Sequence, residues 1–100
     1  MDMPVEFETY KALRRCIMEH LYSFFQEHPF GLAELRTLEE VCNADSRTLN
    51  WNLVYLDQCG YIELDKSQDC PPYVSCTVAI TAKGIDLIEN KSEFDKRFSG

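Results

Sequence analysis

At 100 residues and 45 % hydrophobic, the chain fits one domain with a core of its own, without needing disulfides or metals to close it. Ten Lys and Arg stand against seventeen Asp and Glu, a formal charge of -7, which opposes non-specific attraction to phosphate backbones or anionic lipid, so any nucleic-acid binding must overcome that field locally. No run approaches the roughly 18 apolar residues of a spanning helix, and the opening MDMPVEFE lacks the regions of a secretory signal, so a cytoplasmic protein without membrane attachment is expected.

The first helix is expected to open near Pro4, which tolerates a first-turn position, with Glu6 and Glu8 favourably placed against the helix dipole. Phe7, Tyr10, Leu13, Ile17, Leu21 and Phe24 recur at spacings of three and four and form one apolar stripe. Pro29 and Gly31 end this helix around His28. Residues 30–36 suit a helical turn and a short strand equally well and are read as a connector. Thr37 then opens a second helix, because TLEE matches a capping box between Thr37 and Glu40. Asn43 suits the left-handed conformation at a helix end, and Asp45 or Ser46 suits the cap of the next helix, leaving a corner of only a few residues.

In the third helix Leu49, Leu53 and Leu56 fall within about 60° of one another on a helical wheel and face the core. Arg47, Trp51, Val54, Tyr55 and Gln58 point the other way. Gly60 stops this helix, Tyr61 to Leu64 reads as a strand, and a polar loop covers 65–72. Val74, Cys76, Val78 and Ile80 alternate with Ser75, Thr77 and Ala79, the period of a half-buried strand returning antiparallel to the first. Thr81 caps a last helix carrying Ile85, Leu87 and Ile88, and Phe94 with Phe98 extends an apolar stripe toward the C-terminus. The domain spans 1–100, its core about 5–90 and a C-terminal extension 91–100.

Residues 46–62, SRTLNWNLVYLDQCGYI, look like a recognition helix closing on Gly-aromatic-Ile, and 80–88, ITAKGIDLI, are similar to the Leu-Thr-x-x-Gly opening of a helix that follows a wing. In that order, with two strands between them, they resemble the winged helix-turn-helix superfamily of bacterial and archaeal transcription regulators over residues 7–90. The resemblance implies an α+β, mainly α fold: a three-helix core, a two-stranded antiparallel wing and a C-terminal helix. It also implies sequence-directed binding of double-stranded DNA, with Ser46, Arg47, Thr48 and Asn50 entering the major groove, Asn50 as an adenine reader, and Lys66 in the wing holding a phosphate. Lys11, Arg14 and Arg15 on the first helix are the further phosphate candidates, although such a cluster is more often a solvated helix face paired with Glu8 or Glu19. A homodimer would form through the terminal helices and Phe94 and Phe98.

Charge argues for a second reading. Residues 44–60 carry one Arg against two Asp, and the wing loop carries Lys66 against Asp65 and Asp69, so both DNA-facing elements are net acidic. Trp51, Val54 and Tyr55 form an outward apolar face, suited to a protein-interaction module that does not bind DNA. The bland alternative is that the C-terminal helix, with Phe94 and Phe98, or the first helix covers that face.

Catalysis finds no footing. The chain has no nucleophile elbow, no phosphate-cradling loop and four glycines in all, so no catalytic residue, metal or cofactor is expected. The five cysteines, Cys16, Cys42, Cys59, Cys70 and Cys76, include no C-x-x-C pair, so neither a disulfide framework nor a zinc spacing is read, and most should be reduced thiols. His20 and His28 stand too far apart on one helix to share a metal ion.

Overall fold

The computed structural model describes residues 3–98, and the side chains of residues 9–98. Its elements run α1 (Met3–Glu27), β1 (Ala33–Glu34), α2 (Leu35–Cys42), α3 (Ser46–Gln58), β2 (Ile62–Leu64), β3 (Thr77–Ile80), α4 (Ala82–Glu89) and α5 (Lys91–Arg97). The fold is α+β and mainly α. The expected inward turn of Phe7 and the dipole contacts of Glu6 and Glu8 lie outside the described side chains.

On α1 the apolar stripe buries Leu13, Ile17 and Leu21, together with Met18, which the pattern had not singled out. Tyr10 and Phe24 lie half-buried at its edges. Against this stripe pack Leu35 and Leu38 of α2 and all three leucines of α3, Leu49, Leu53 and Leu56, each fully removed from water. A leucine in such a position contributes roughly 1.5–3 kcal/mol of apolar burial, and three in register fix the rotation of α3 about its own axis.

Local chemistry accounts for the corner before α3. Asn43 takes the left-handed conformation at φ 51°, and the Asp45 carboxylate accepts the Thr48 amide at 2.7 Å as the N-cap. At the other end Gly60 has φ 86°, the reversal that ends the helix. Helix α2, however, starts at Leu35 with Glu34 as an N-cap that offers no side-chain bond, so Thr37 lies inside the helix and the expected capping box is not made.

Residues 33–34, read as connector, pair instead with β3. The sheet is three-stranded, antiparallel and ordered β1-β3-β2, with Ala33 opposite Val78 and Ile62 opposite Ile80. A strand of two residues carries no periodicity of its own, and only β3 supplies its ladder partner. The long period-two strand also proves shorter than its pattern: β3 begins at Thr77, and upstream the phase inverts, with Ser75 fully buried and Val74 46 % exposed.

Thr81 joins three elements. Its hydroxyl donates to the Gly60 carbonyl at 2.6 Å and accepts the Gly84 amide at 3.1 Å, capping α4 while tying it to the end of α3. Gly84 lies so close to the chain that a Cβ there would drive into the Tyr61 carbonyl oxygen. The Thr-x-x-Gly motif therefore marks a close approach of α4 to the start of β2.

Phe94 and Phe98 are 3 % and 1 % exposed, which overturns their expected role as dimer anchors. They stack edge-to-face with each other and, through Phe98, with Tyr61. Arg15 holds α5 in place: its guanidinium lies 4.7 Å over the Phe94 ring and donates to Asp95 at 2.8 Å and to the Phe98 carbonyl at 3.1 Å. The terminal helices thus close on each other within one chain.

The reading of most cysteines as reduced thiols is corrected. Cys16 of α1 is joined to Cys42 of α2, and Cys70 to Cys76 across one loop, with Cα separations of 5.9 and 5.1 Å; Cys59 is free. No spacing motif announces the first pair, because residues 26 apart in sequence meet only through the packing of α1 on α2. No described helix is long and apolar enough to cross a membrane.

Candidate functional site

The outward side of α3 and the loop before β3 together form a groove of about 620 Å³. Trp51 and Val54 supply one wall and Pro72 and Val74 the other, with Ser46, Arg47 and Asn50 at its end. Trp51 is 43 % exposed although its ring meets Tyr10 edge-to-face at 4.8 Å, so the first helix covers it only in part. Val54 and Tyr55 are half-buried. Helix α5 does not cover Trp51; its Arg97 donates to the Tyr55 hydroxyl at 3.5 Å and to Cys59 Sγ at 3.7 Å, and lies 5.3 Å from the Tyr61 ring centroid.

Beneath the aromatic pair lies a side chain read from sequence as a phosphate contact. The Arg14 guanidinium stacks 4.2 Å from the Tyr55 ring centroid and 5.5 Å from that of Trp51, and its Nε donates to Asn52 Oδ1 at 2.7 Å. Asn52 is fully buried and donates in turn to the Thr48 carbonyl at 2.8 Å. Burial lowers the Arg14 pKa, and the nearby Tyr55 and Cys59 oppose that shift. Arg14 is a buttress of the aromatic face, not a free cation. Asn52 went unremarked in the sequence because an amide one position from Trp51 looks like ordinary helix surface.

Asn50, expected to read adenine, has its amide engaged on both sides. Its Nδ2 donates to the Pro72 carbonyl at 2.7 Å and its Oδ1 accepts the Val74 amide at 3.0 Å, so one side chain clamps the loop to α3. Lys66 pairs with Asp57 at 3.3 Å, and Arg15 is spent on Glu19 and α5. Lys11 is exposed on α1. Ser46, Arg47 and Thr48 lie in the first turn of α3, where Arg47 is exposed and makes no ion pair among the described residues. Of eight residues read as DNA contacts, Ser46, Arg47 and Lys11 make no side-chain hydrogen bond or ion pair among the described residues, whereas Thr48 is bonded to the Asp45 carboxylate through both its amide and its hydroxyl.

The loop wall was not anticipated. Tyr73 donates from its hydroxyl to Glu39 of α2, which raises its pKa, and its amide donates to the Cys70 carbonyl at 2.8 Å. With the Asn50 clamp and the Cys70–Cys76 bond, residues 70–76 are pinned to α2 and α3 at once. The sequence signal was present: two cysteines six apart, bracketing Pro71 and Pro72, with an apolar Val74 between them. Among the described residues no cluster of three or more His, Cys, Asp or Glu is gathered to hold a metal ion. No family model, curated protein or solved structure matches the chain.

Proposed function

We propose that the chain is a winged-helix domain of non-catalytic, cytoplasmic type, whose groove between α3 and the loop takes an apolar anchor from a protein partner. The winged-helix reading is supported by the order of elements, α1-β1-α2-α3-β2-β3-α4, and by a sheet ordered β1-β3-β2 behind an outward-facing third helix. The interaction reading is carried by one observation: Trp51, Val54, Pro72 and Val74 give apolar walls to a groove of about 620 Å³, while among the described residues the one amide lining it, Asn50, is spent on the loop and Arg47 is its one cation. Large aromatics in such positions bury much area at little entropic cost and dominate binding energy. The net charge of -7 favours a partner whose anchor is flanked by Lys or Arg.

Duplex DNA is the second reading, favoured by the exposed guanidinium of Arg47 beside Ser46 and Thr48. Selection from a random peptide display library, followed by affinity measurement, separates the two. Selected peptides should carry an aromatic or branched aliphatic anchor with basic flanks, and Trp51→Ala should weaken them about thirtyfold, the effect of a hot spot of about 2 kcal/mol. Arg47→Ala should leave peptide affinity within about twofold and would instead abolish any duplex binding. Mixed-sequence duplex bound with a falling log-log salt slope, and no peptide enriched by the wild type over Trp51→Ala, would reverse the assignment.

A further inference from the structure

We propose that Cys70–Cys76 is a thiol–disulfide modification site, reduced by a small dithiol or a dithiol protein, whose state sets the shape of the groove beside α3. Both cysteines are half-buried and line a cleft of about 360 Å³, together with Glu34, Arg36 and Tyr73, so a reductant's thiolate has a path to the sulfurs. The bond closes a ring of seven residues, 70–76, and that ring contains Pro72 and Val74, the second wall of the groove and the two backbone partners of Asn50. Covalent state and groove geometry therefore meet in the same short segment. The other cystine, Cys16–Cys42, ties together two helices that already pack through buried side chains, and no groove residue lies in its path.

In the exchange, a reductant thiolate attacks one cystine sulfur and forms a mixed disulfide, and the S–S bond breaks to release the other sulfur as a thiolate. The second thiol of the reductant then attacks the mixed disulfide. The reductant leaves as its own disulfide, two electrons having passed to the protein, and the dithiol's two protons end on Cys70 and Cys76. The reduced Cys76 thiol has a waiting acceptor, Gln68 Oε1 at 3.8 Å, which the oxidised sulfur has no proton to use. Cystines in reducing compartments are mostly transient and redox-sensing, which matches an accessible bond closing a short ring.

The consequence for binding rests on the groove reading; the redox chemistry and the loop response do not, and the test reads only these. Trp51 is the sole tryptophan and stands on the groove wall opposite the loop, so its emission reports the loop's position without any ligand. In the wild-type chain poised in dithiothreitol redox buffers, with thiols counted by alkylation and mass spectrometry, reduction of Cys70 and Cys76 should red-shift Trp51 emission. Amide exchange at Tyr73 and Val74 should quicken about fiftyfold, the loss of closure entropy for a seven-residue ring. The Cys16→Ser/Cys42→Ser variant should keep the full response, and Cys70→Ser/Cys76→Ser should show the reduced-state spectrum in every buffer. Unchanged emission and exchange in wild-type protein whose Cys70 and Cys76 are verified as reduced would overturn the proposal, as would a response that follows Cys16 and Cys42. The exchange measurement needs no variant and stands even where a serine pair fails to fold. Failure of the groove reading appears only in the peptide experiment, so the two outcomes stay separate.

Discussion

Truncating Asn52 to alanine should unsettle the aromatic face from beneath, through a bond that crosses from α3 to α1. The Asn52 side chain is fully buried, accepts from Arg14 Nε at 2.7 Å and donates to the Thr48 carbonyl at 2.8 Å. A hydrogen bond to a charged group contributes roughly 1.5–3 kcal/mol and a neutral one about 1 kcal/mol, so losing both, with Arg14 left short of an acceptor, should cost about 3 kcal/mol. For a chain of this size that is a fall in Tm of roughly 12–24 °C. Urea unfolding followed by far-ultraviolet circular dichroism measures it, and a cycle with Arg14→Met separates the pair from its surroundings. The structure requires a coupling of about 1.5–3 kcal/mol, with the double variant losing much less than the two single losses together. Additivity within about 0.5 kcal/mol would refute the buttress and return Arg14 to the set of free cations.

Gly84→Ala should destabilise by about 3 kcal/mol, because its Cβ meets the fixed Tyr61 carbonyl and the Ile80 side chain. Gly60→Ala, strained by its φ of 86° but facing only the flexible Lys83, should cost about 1–2 kcal/mol, and equal losses in urea midpoints would refute that ranking. Acid should weaken the start of α3. The Thr48 amide holds the Asp45 carboxyl below the ordinary aspartate range, and the Ser67 hydroxyl and amide do the same for Asp65. With folded pKa values below unfolded ones, this stabilisation is present above about pH 4 and is lost as pH falls through the lowered folded values. Asp45→Asn, which keeps an acceptor at the cap, should flatten the acid limb of stability against pH; an unchanged limb would exclude Asp45 as a contributor.

What the chain announced in advance is what short-range chemistry decides. Leucines spaced four and three apart orient α3, Asn43 and Gly60 accept the two left-handed turns, Asp45 caps from one residue outside the helix, and Thr81 caps α4 three residues before Gly84. Each depends on neighbours within a turn or two of chain. Other features needed a distant partner. Strand β1 exists only because β3 lies beside it, the Cys16–Cys42 bond only because α1 packs on α2, and the phase inverts at Val74 and Ser75 where Asn50 of α3 holds the Val74 amide and the Ser75 hydroxyl donates to the Asp65 carbonyl.

The same division runs through the candidate site. Trp51, Val54 and Arg47 were legible as outward residues, because helical geometry alone places them opposite a buried ridge. Whether a cation is free or spent is not a local property: Arg14 is taken by Asn52 and two rings, Arg15 by α5, and Lys66 by Asp57. Periodicity told which way α3 faces, because an apolar side must leave water whatever lies around it. Only the folded chain decided what that face offers, because a charge or an amide is claimed by whichever partner the packing brings within hydrogen-bond reach.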